Sequence, residues 1–398
     1  MKNCAFLLLL VTLFATCSED EVQRGIESYD SSTFIQFEQY ISGNDLAIAT
    51  DESLLIAGTG MPQGGTLGDP LLVKFNADKE IAWSTFLPDE LKYTGNLTSV
   101  YATTDNQVLY LTNSENPDRD GEFGIDLSRM DASGAITWNR RIFEEGKNLI
   151  STSLVQLPGG DYIVLSEDEQ TQEFEESNQM NLSRISATGQ LVWSKLIEGS
   201  IVNLSRRLLY LPEEETIVTL NEGVPSFLQN GIYVHKFDLE GEVIWEKAIE
   251  ESTNVMAAAS DMMLSSDGDL LVAYSSDFDV RLVKIDTDGE VIWEKTFAGS
   301  ETELVVEVIE TDDDHFILMI NTSTYGNGGY DVMLTKIDRA GETVWDKTYG
   351  SEASDQSRRL MEKSNGDLVV IGNSNETTGS DARFTLFVLE TDSDGNPK

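Results

Sequence analysis

The chain has 398 residues, 40% of them hydrophobic, with 70 acidic residues against 27 basic ones and a net charge of −43. That charge repels nucleic acid and anionic lipid, which excludes a DNA- or RNA-binding role, and because the acids are interleaved with periodic apolar positions they read as the solvated surface of a folded body. Both cysteines, Cys4 and Cys17, lie at the N-terminus, so the body of the protein has no thiol for an internal disulfide or a cysteine-based metal site.

At the start of the chain, Lys2 precedes an apolar run from Ala5 to Ala15 that is too short to span a bilayer, which reads as an export signal over residues 1–16. The block FATC ending at Cys17 resembles a bacterial lipoprotein signal, with Phe14 where the stricter form has Leu and Thr16 where it has Gly, Ala or Ser. Looser forms are common in Bacteroidota, where an acidic run such as Ser18-Glu19-Asp20-Glu21 resembles the tag for export to the outer face of the outer membrane. The resemblance implies a lipidated Cys17, an acidic, polar tether over residues 17–33, and a cell-surface position whose only membrane contact is the lipid.

The body, residues 34–398, is a repeat. The strings RISATGQLVWSK (184–195), KFDLEGEVIWEK (236–247), KIDTDGEVIWEK (284–295) and KIDRAGETVWDK (336–347) are copies of one sentence, and all six tryptophans, Trp83, Trp138, Trp193, Trp245, Trp293 and Trp345, occupy its Trp position. A period of about fifty residues signals stacked supersecondary units. In each unit an Asp-x-x-Gly turn predicts a hairpin, the Asp accepting hydrogen bonds from its own turn and the Gly taking positive φ. The first copy departs from the pattern, with Asn76 for Asp and Lys79 for Gly, and the third has Ser186 for Asp. A second turn lies upstream of each hairpin, as at Asp267-Gly268 and Asn365-Gly366, and opens another apolar strand; a further strand precedes that turn.

Four antiparallel strands per fifty residues describe a propeller blade. Seven upstream turns occur, and a seventh hairpin turn, Thr391 to Gly395, has no Trp after it before Lys398. The segment FIQFEQYIS (34–42) is similar to TVWDKTYGS (343–351) without its turn. The expected fold is therefore an all-β, seven-bladed β-propeller of four-stranded antiparallel blades, closed by pairing the N-terminal strand with the last blade and so removing both open edges. The repeat resembles the β-propeller repeats of secreted and surface lipoproteins of Bacteroidota over residues 34–398. That resemblance specifies architecture and leaves activity open.

Material for catalysis is sparse: His235 and His315 each sit in or beside an apolar strand, and HExxH, P-loop, GxSxG and catalytic-Cys patterns are absent. Calcium is the metal the donors suit best, at Asp118 and Asp120 in the irregular stretch SENPDRDGEFG, whereas Asp286 and Asp288 are explained as a repeat turn. Long, unlike B–C loops are expected on one face, at 58–69, 113–124, 166–179, 221–231, 321–330 and 372–381. On the innermost strands a polar position recurs as Asp45, Ser99, Ser153, Arg207, Asp261, Glu307 and Arg359. Of these, Arg207, Arg359, Asp45 and Asp261 are the candidates for a small ligand at the channel mouth, against the plainer expectation of salt bridges between blades.

Two functions follow as expectations. One is a non-enzymatic binding or scaffold module, monomeric, engaging a protein or glycan of the envelope through the loop-rich face. The other is a propeller enzyme, a polysaccharide lyase or hydrolase acting at the channel mouth through carboxylate or tyrosine chemistry. A purely structural envelope component is the third reading.

Overall fold

The computed structural model describes residues 41–60, 69–76, 80–86, 99–103, 107–119, 121–168, 179–197, 202–226, 229–252, 258–375 and 384–398. They form seven antiparallel sheets, six of four strands and a seventh of three, and every strand pairs with its neighbours in sequence. The chain is thus a seven-bladed β-propeller, each blade running from an inner strand A to an outer strand D. The signal, Cys17, the tether and most of the closing strand lie outside the described residues. Ile41 and Ser42, the end of the expected closing segment, belong instead to strand A of blade 1, paired with Gly60 and Thr59.

Strands B and C are buried on both faces, which is why they read as unbroken apolar runs and not as alternations. Leu270–Ser276 and Phe316–Thr322 are buried at every residue. Each hydrophobic cluster spans two blades. Leu46, Leu54, Ile56 and Phe75 of blade 1 pack with Val369, Ile371, Leu386 and Val388 of blade 7, so the ring meets itself through side-chain packing. Each such side chain contributes about 1.5–3 kcal/mol relative to exposure.

The repeated dodecamer is a latch between blades. Asp286 Oδ1 accepts from the amides of Asp288 (3.0 Å) and Glu290 (2.8 Å), while Gly289 holds φ 81°. The Trp245 ring of the preceding blade lies against Gly289, and its Nε1 donates to the Thr287 carbonyl at 3.2 Å. Lys247, two residues after that Trp, reaches Glu290 at 2.6 Å. The same meeting recurs where Trp293 and Lys295 face Gly341 and Glu342, and where Trp345 and Lys347 face Gly395 and Asn396. Aspartate and glycine shape the turn, and Trp83, Trp193, Trp245, Trp293 and Trp345 each lie against the turn glycine of the next blade.

Candidate functional site

The two faces of the ring differ. The C–D turns have one length throughout, from Met130 to Ile136, Ile185 to Leu191, Ile285 to Val291 and Ile337 to Thr343; Asp131, Asp286 and Asp338 close theirs by Asx-type bonds, and the Ser186 hydroxyl closes the other. The B–C connections on the opposite face range from Ser276–Asp279 to Asp168–Gln179. One expected loop is not a loop: over 221–231 the chain continues as long strands, Thr216–Ser226 and Gln229–Phe237, so blade 4 extends past its neighbours. Loop 321–330 is fixed by Asp331, whose Oδ2 accepts from the Asn327 amide at 2.9 Å, and by the Tyr330 carbonyl, which accepts from the Asp355 amide at 2.6 Å. Burial, with Asp355 nearby, pushes the Asp331 carboxyl up to about 6. Much of the other expected loops, 61–68, 169–178 and 376–383, lies outside the described residues.

All seven polar positions of strand A line one central cavity of about 220 Å³. They bind the blades together in a cyclic pattern in which a side chain on one inner strand accepts an amide of the next. Asp45 Oδ2 takes Val100 N (2.8 Å), Ser153 Oγ takes Leu208 N (3.2 Å), Asp261 Oδ2 takes Val308 N (3.1 Å) and Glu307 Oε2 takes Leu360 N (2.6 Å). In blade 2 the Tyr101 hydroxyl has this role, accepting from Leu154 N at 3.1 Å. Arginine cannot accept, and at its two positions ion pairs replace the bond: Arg207 Nε lies 3.2 Å from Asp261 Oδ1, and Arg359 pairs with both Asp45 and Glu307. Burial pushes the Glu307 carboxyl up to about 7, opposed by Arg359 and Arg207 and assisted by Asp261. The four channel candidates thus come together, with their charges turned toward one another.

Six of the inner strands carry a β-bulge at the same place, immediately before the ring position. A bulge inserts one unpaired residue and re-aims its side chain. The re-aimed residues are Asn44, Thr152, Arg206, Ser260, Val306 and Arg358, and all six line the cavity. Arg206 is held by Glu222 at 3.0 Å. Arg358 is exposed, with no ion pair or hydrogen bond among the described residues.

Elsewhere, Asp120 lies outside the described residues, and Asp118 is an exposed turn residue whose amide donates to Asn116 Oδ1 at 3.0 Å. Arg119, next in sequence, pairs with Glu122 and Glu145. Among the described residues no group of three His, Cys, Asp or Glu side chains is placed to hold a metal. His235 is buried, stacked on Phe237 and bonded to Asn221, and burial pushes its pKa down. His315 sits at a strand edge beside Asp313. Sequence reading missed a second ring, at the end of strand B: Asn113 accepts from Ser151 N (2.8 Å), Asn321 from Ser357 N (2.8 Å) and Asn373 from Gly43 N (3.0 Å). Its signal was present, an Asn recurring just after the apolar run. The bulge has no such signal, because one extra residue in a strand leaves the composition unchanged.

Known proteins match this architecture. Residues 230–384 match a family model described as outer membrane protein assembly factor BamB. No curated protein matches the chain. Among solved structures the chain is similar to a puromycin hydrolase at 14% identity and TM-score 0.59, covering 93% of this chain and 54% of that one. This chain therefore spans about half the length of that hydrolase. It is also similar to the polysaccharide lyase Uly1, at 11% identity and TM-score 0.58, covering 93% and 96% of the two chains. The β-propeller domain of the Trilobed protease from Pyrococcus furiosus is similar at 10% identity and TM-score 0.53, with 90% and 96% covered. At these identities the likeness concerns the fold. Among the described residues no helix is long and apolar enough to cross a membrane.

Proposed function

We propose that the chain is a non-enzymatic binding or scaffold module, lipid-anchored at the outer membrane through Cys17 and exposed at the cell surface, which engages a protein or glycan through the face bearing the B–C loops. The observation that carries this reading is the contrast between faces. The C–D turns are uniform and consumed by blade-to-blade latches, whereas the B–C connections differ in length from blade to blade. Unlike loops on a rigid ring supply a multipoint recognition surface. The match of residues 230–384 to a family described as an outer membrane protein assembly factor supports a protein partner at the envelope, and the N-terminal export pattern supports the address. A calcium ion near Asp118 and Asp120 would rigidify the 113–124 loop, and a chelator arm in the binding assay tests that.

The test compares full chains altered on each face. Replacing 321–330 with a two-residue hairpin is expected to abolish capture of an envelope partner or glycan, and altering the C–D turn at 338–341 to leave it intact. Turnover of any glycan would overturn the reading in favour of a propeller enzyme. Cys17→Ala is expected to move the protein out of the membrane fraction; unchanged fractionation would refute the anchor.

A further inference from the structure

We propose that the channel cavity binds a small polyhydroxylated carboxylate, with the Arg358 guanidinium as its principal anion contact and Arg206 and Ser260 completing the site. This rests on the reading of the chain as a binding module and assigns the channel its own ligand class.

The argument begins with the two registers of the inner strands. Ring residues are spent on structure, since Asp45, Asp261 and Glu307 accept amides from the next blade and the arginines beside them pair with those same carboxylates. Bulged residues are not part of that scheme. In a chain with 70 acidic residues, the six bulge positions hold no acid: they are two arginines, three neutral polar residues and one valine. Six bulges in register turn these side chains into one concave space, the arrangement by which strands re-aim side chains at a site.

Charge and size fix the ligand class. Four guanidiniums line the cavity against the carboxylates of Asp45, Asp261 and Glu307, and Glu222 holds Arg206 from the wall. With Glu307 ionised the site is balanced; with Glu307 protonated it carries one net positive charge, which suits a single carboxylate better than a phosphate dianion. The free planar fork of Arg358 matches a carboxylate in bidentate fashion. Asn44, Thr152 and Ser260 supply neutral polar groups around the same space, suited to ligand hydroxyls. A volume of about 220 Å³ is enough for one sugar-acid ring and below the range of drug-sized pockets.

Proton linkage gives a signature that a merely structural arginine would lack. Glu307 faces Arg359, Arg207 and Asp261, with Asp45 and Tyr101 further round the ring. An anion entering the cavity disfavours a second negative charge, so binding draws a proton onto Glu307 and affinity rises as pH falls from 8 to 6.

Isothermal titration of the full chain tests this, with glucuronate, an oligouronate, glucose and inorganic phosphate as probes. Glucuronate is expected to bind at pH 6 and several-fold more weakly at pH 8, while glucose gives no saturable heat. Arg358→Gln is expected to lower glucuronate affinity at least tenfold without shifting the melting midpoint, and Glu307→Gln to remove the pH dependence. An oligouronate binding more tightly than glucuronate identifies the source as a glycan chain; equal affinities identify a free sugar acid. Equal binding of glucose and glucuronate, stronger binding of phosphate than of glucuronate, no glucuronate binding at pH 6, or an unchanged Arg358→Gln would each overturn the proposal. If those failures occur while the B–C loop variants still lose their partner, the channel assignment falls and the binding-module reading stands.

Discussion

Arg359 Nε lies 2.9 Å from Asp45 Oδ1, an ion pair that joins the last blade to the first across residues far apart in sequence. Arg359 also pairs with Glu307, so one guanidinium bridges three consecutive blades, 6, 7 and 1. Both side chains are mostly buried, and removing one member of a buried pair strands the other, at a cost of about 3 kcal/mol. Arg359→Gln is therefore expected to lower stability by about that amount in urea unfolding. The rim pair Lys295–Glu342, with its glutamate largely exposed, is the control: Lys295→Gln should cost under about 1 kcal/mol.

The turn glycines separate backbone strain from packing. Gly146 and Gly341 hold φ of 76° and 80°, but a Cβ at Gly146 meets nothing within 4 Å, whereas at Gly341 it meets Lys295 Cγ at 2.8 Å and the Trp293 ring at 3.3 Å. Gly146→Ala should cost about 1–2 kcal/mol from the left-handed backbone alone. Gly341→Ala should cost roughly 1 kcal/mol more, for displacing the latch. Equal costs for the two would show that the Trp is not seated on the turn.

Stability should peak in mildly acidic solution. Burial raises the Glu307 carboxyl to about 7 and the Asp331 carboxyl to about 6, so the folded state holds these protons where the unfolded chain has released them. Their contribution is complete below the unfolded values and is lost as pH rises through about 6 and 7. Asp51, Asp267 and Asp313 run the other way, each held below its ordinary value by hydrogen bonds from Ser or Thr hydroxyls and by Lys74, Lys284 or Lys336, despite some burial. Their stabilisation is present above the unfolded value and is lost as pH falls through the lowered ones. Melting midpoints are expected to be highest between roughly pH 4.5 and 6, and Glu307→Gln should flatten the decline toward pH 8.

The closing strand makes a separate prediction. The outer position of blade 7 is assigned by sequence to residues within 34–40, and Phe384–Thr391 is the strand they would cover. A chain beginning at Ile41 should melt about 2–4 °C or more below one beginning at Ser18 and aggregate through that free edge. Identical melting of the two would place the closure elsewhere.

The architecture was legible because each blade repeats the same physical problem. Trp, the turn Asp and Gly, and the strand-A ring all recur at the blade period, so the seven channel positions are readable from spacing alone. What the sequence hid depends on partners in another blade. Nothing local in SRRL tells which of Arg358 and Arg359 pairs with Asp45 and which is turned out by a bulge. The 221–231 segment read as a loop because Gly223, Pro225 and Gly231 punctuate it, yet pairing across blade 4 carries the strands through them. The Asp-x-Asp-Gly of the repeat read correctly as a turn because its Asp is consumed by local amides.

The central claim, that the B–C face carries recognition, is tested most directly by amide hydrogen exchange of the full chain with and without its captured partner. The account predicts new protection in 113–124, 221–231 and 321–330 and none in the C–D turns at 131–134, 286–289 and 338–341. Protection confined to those C–D turns would contradict it.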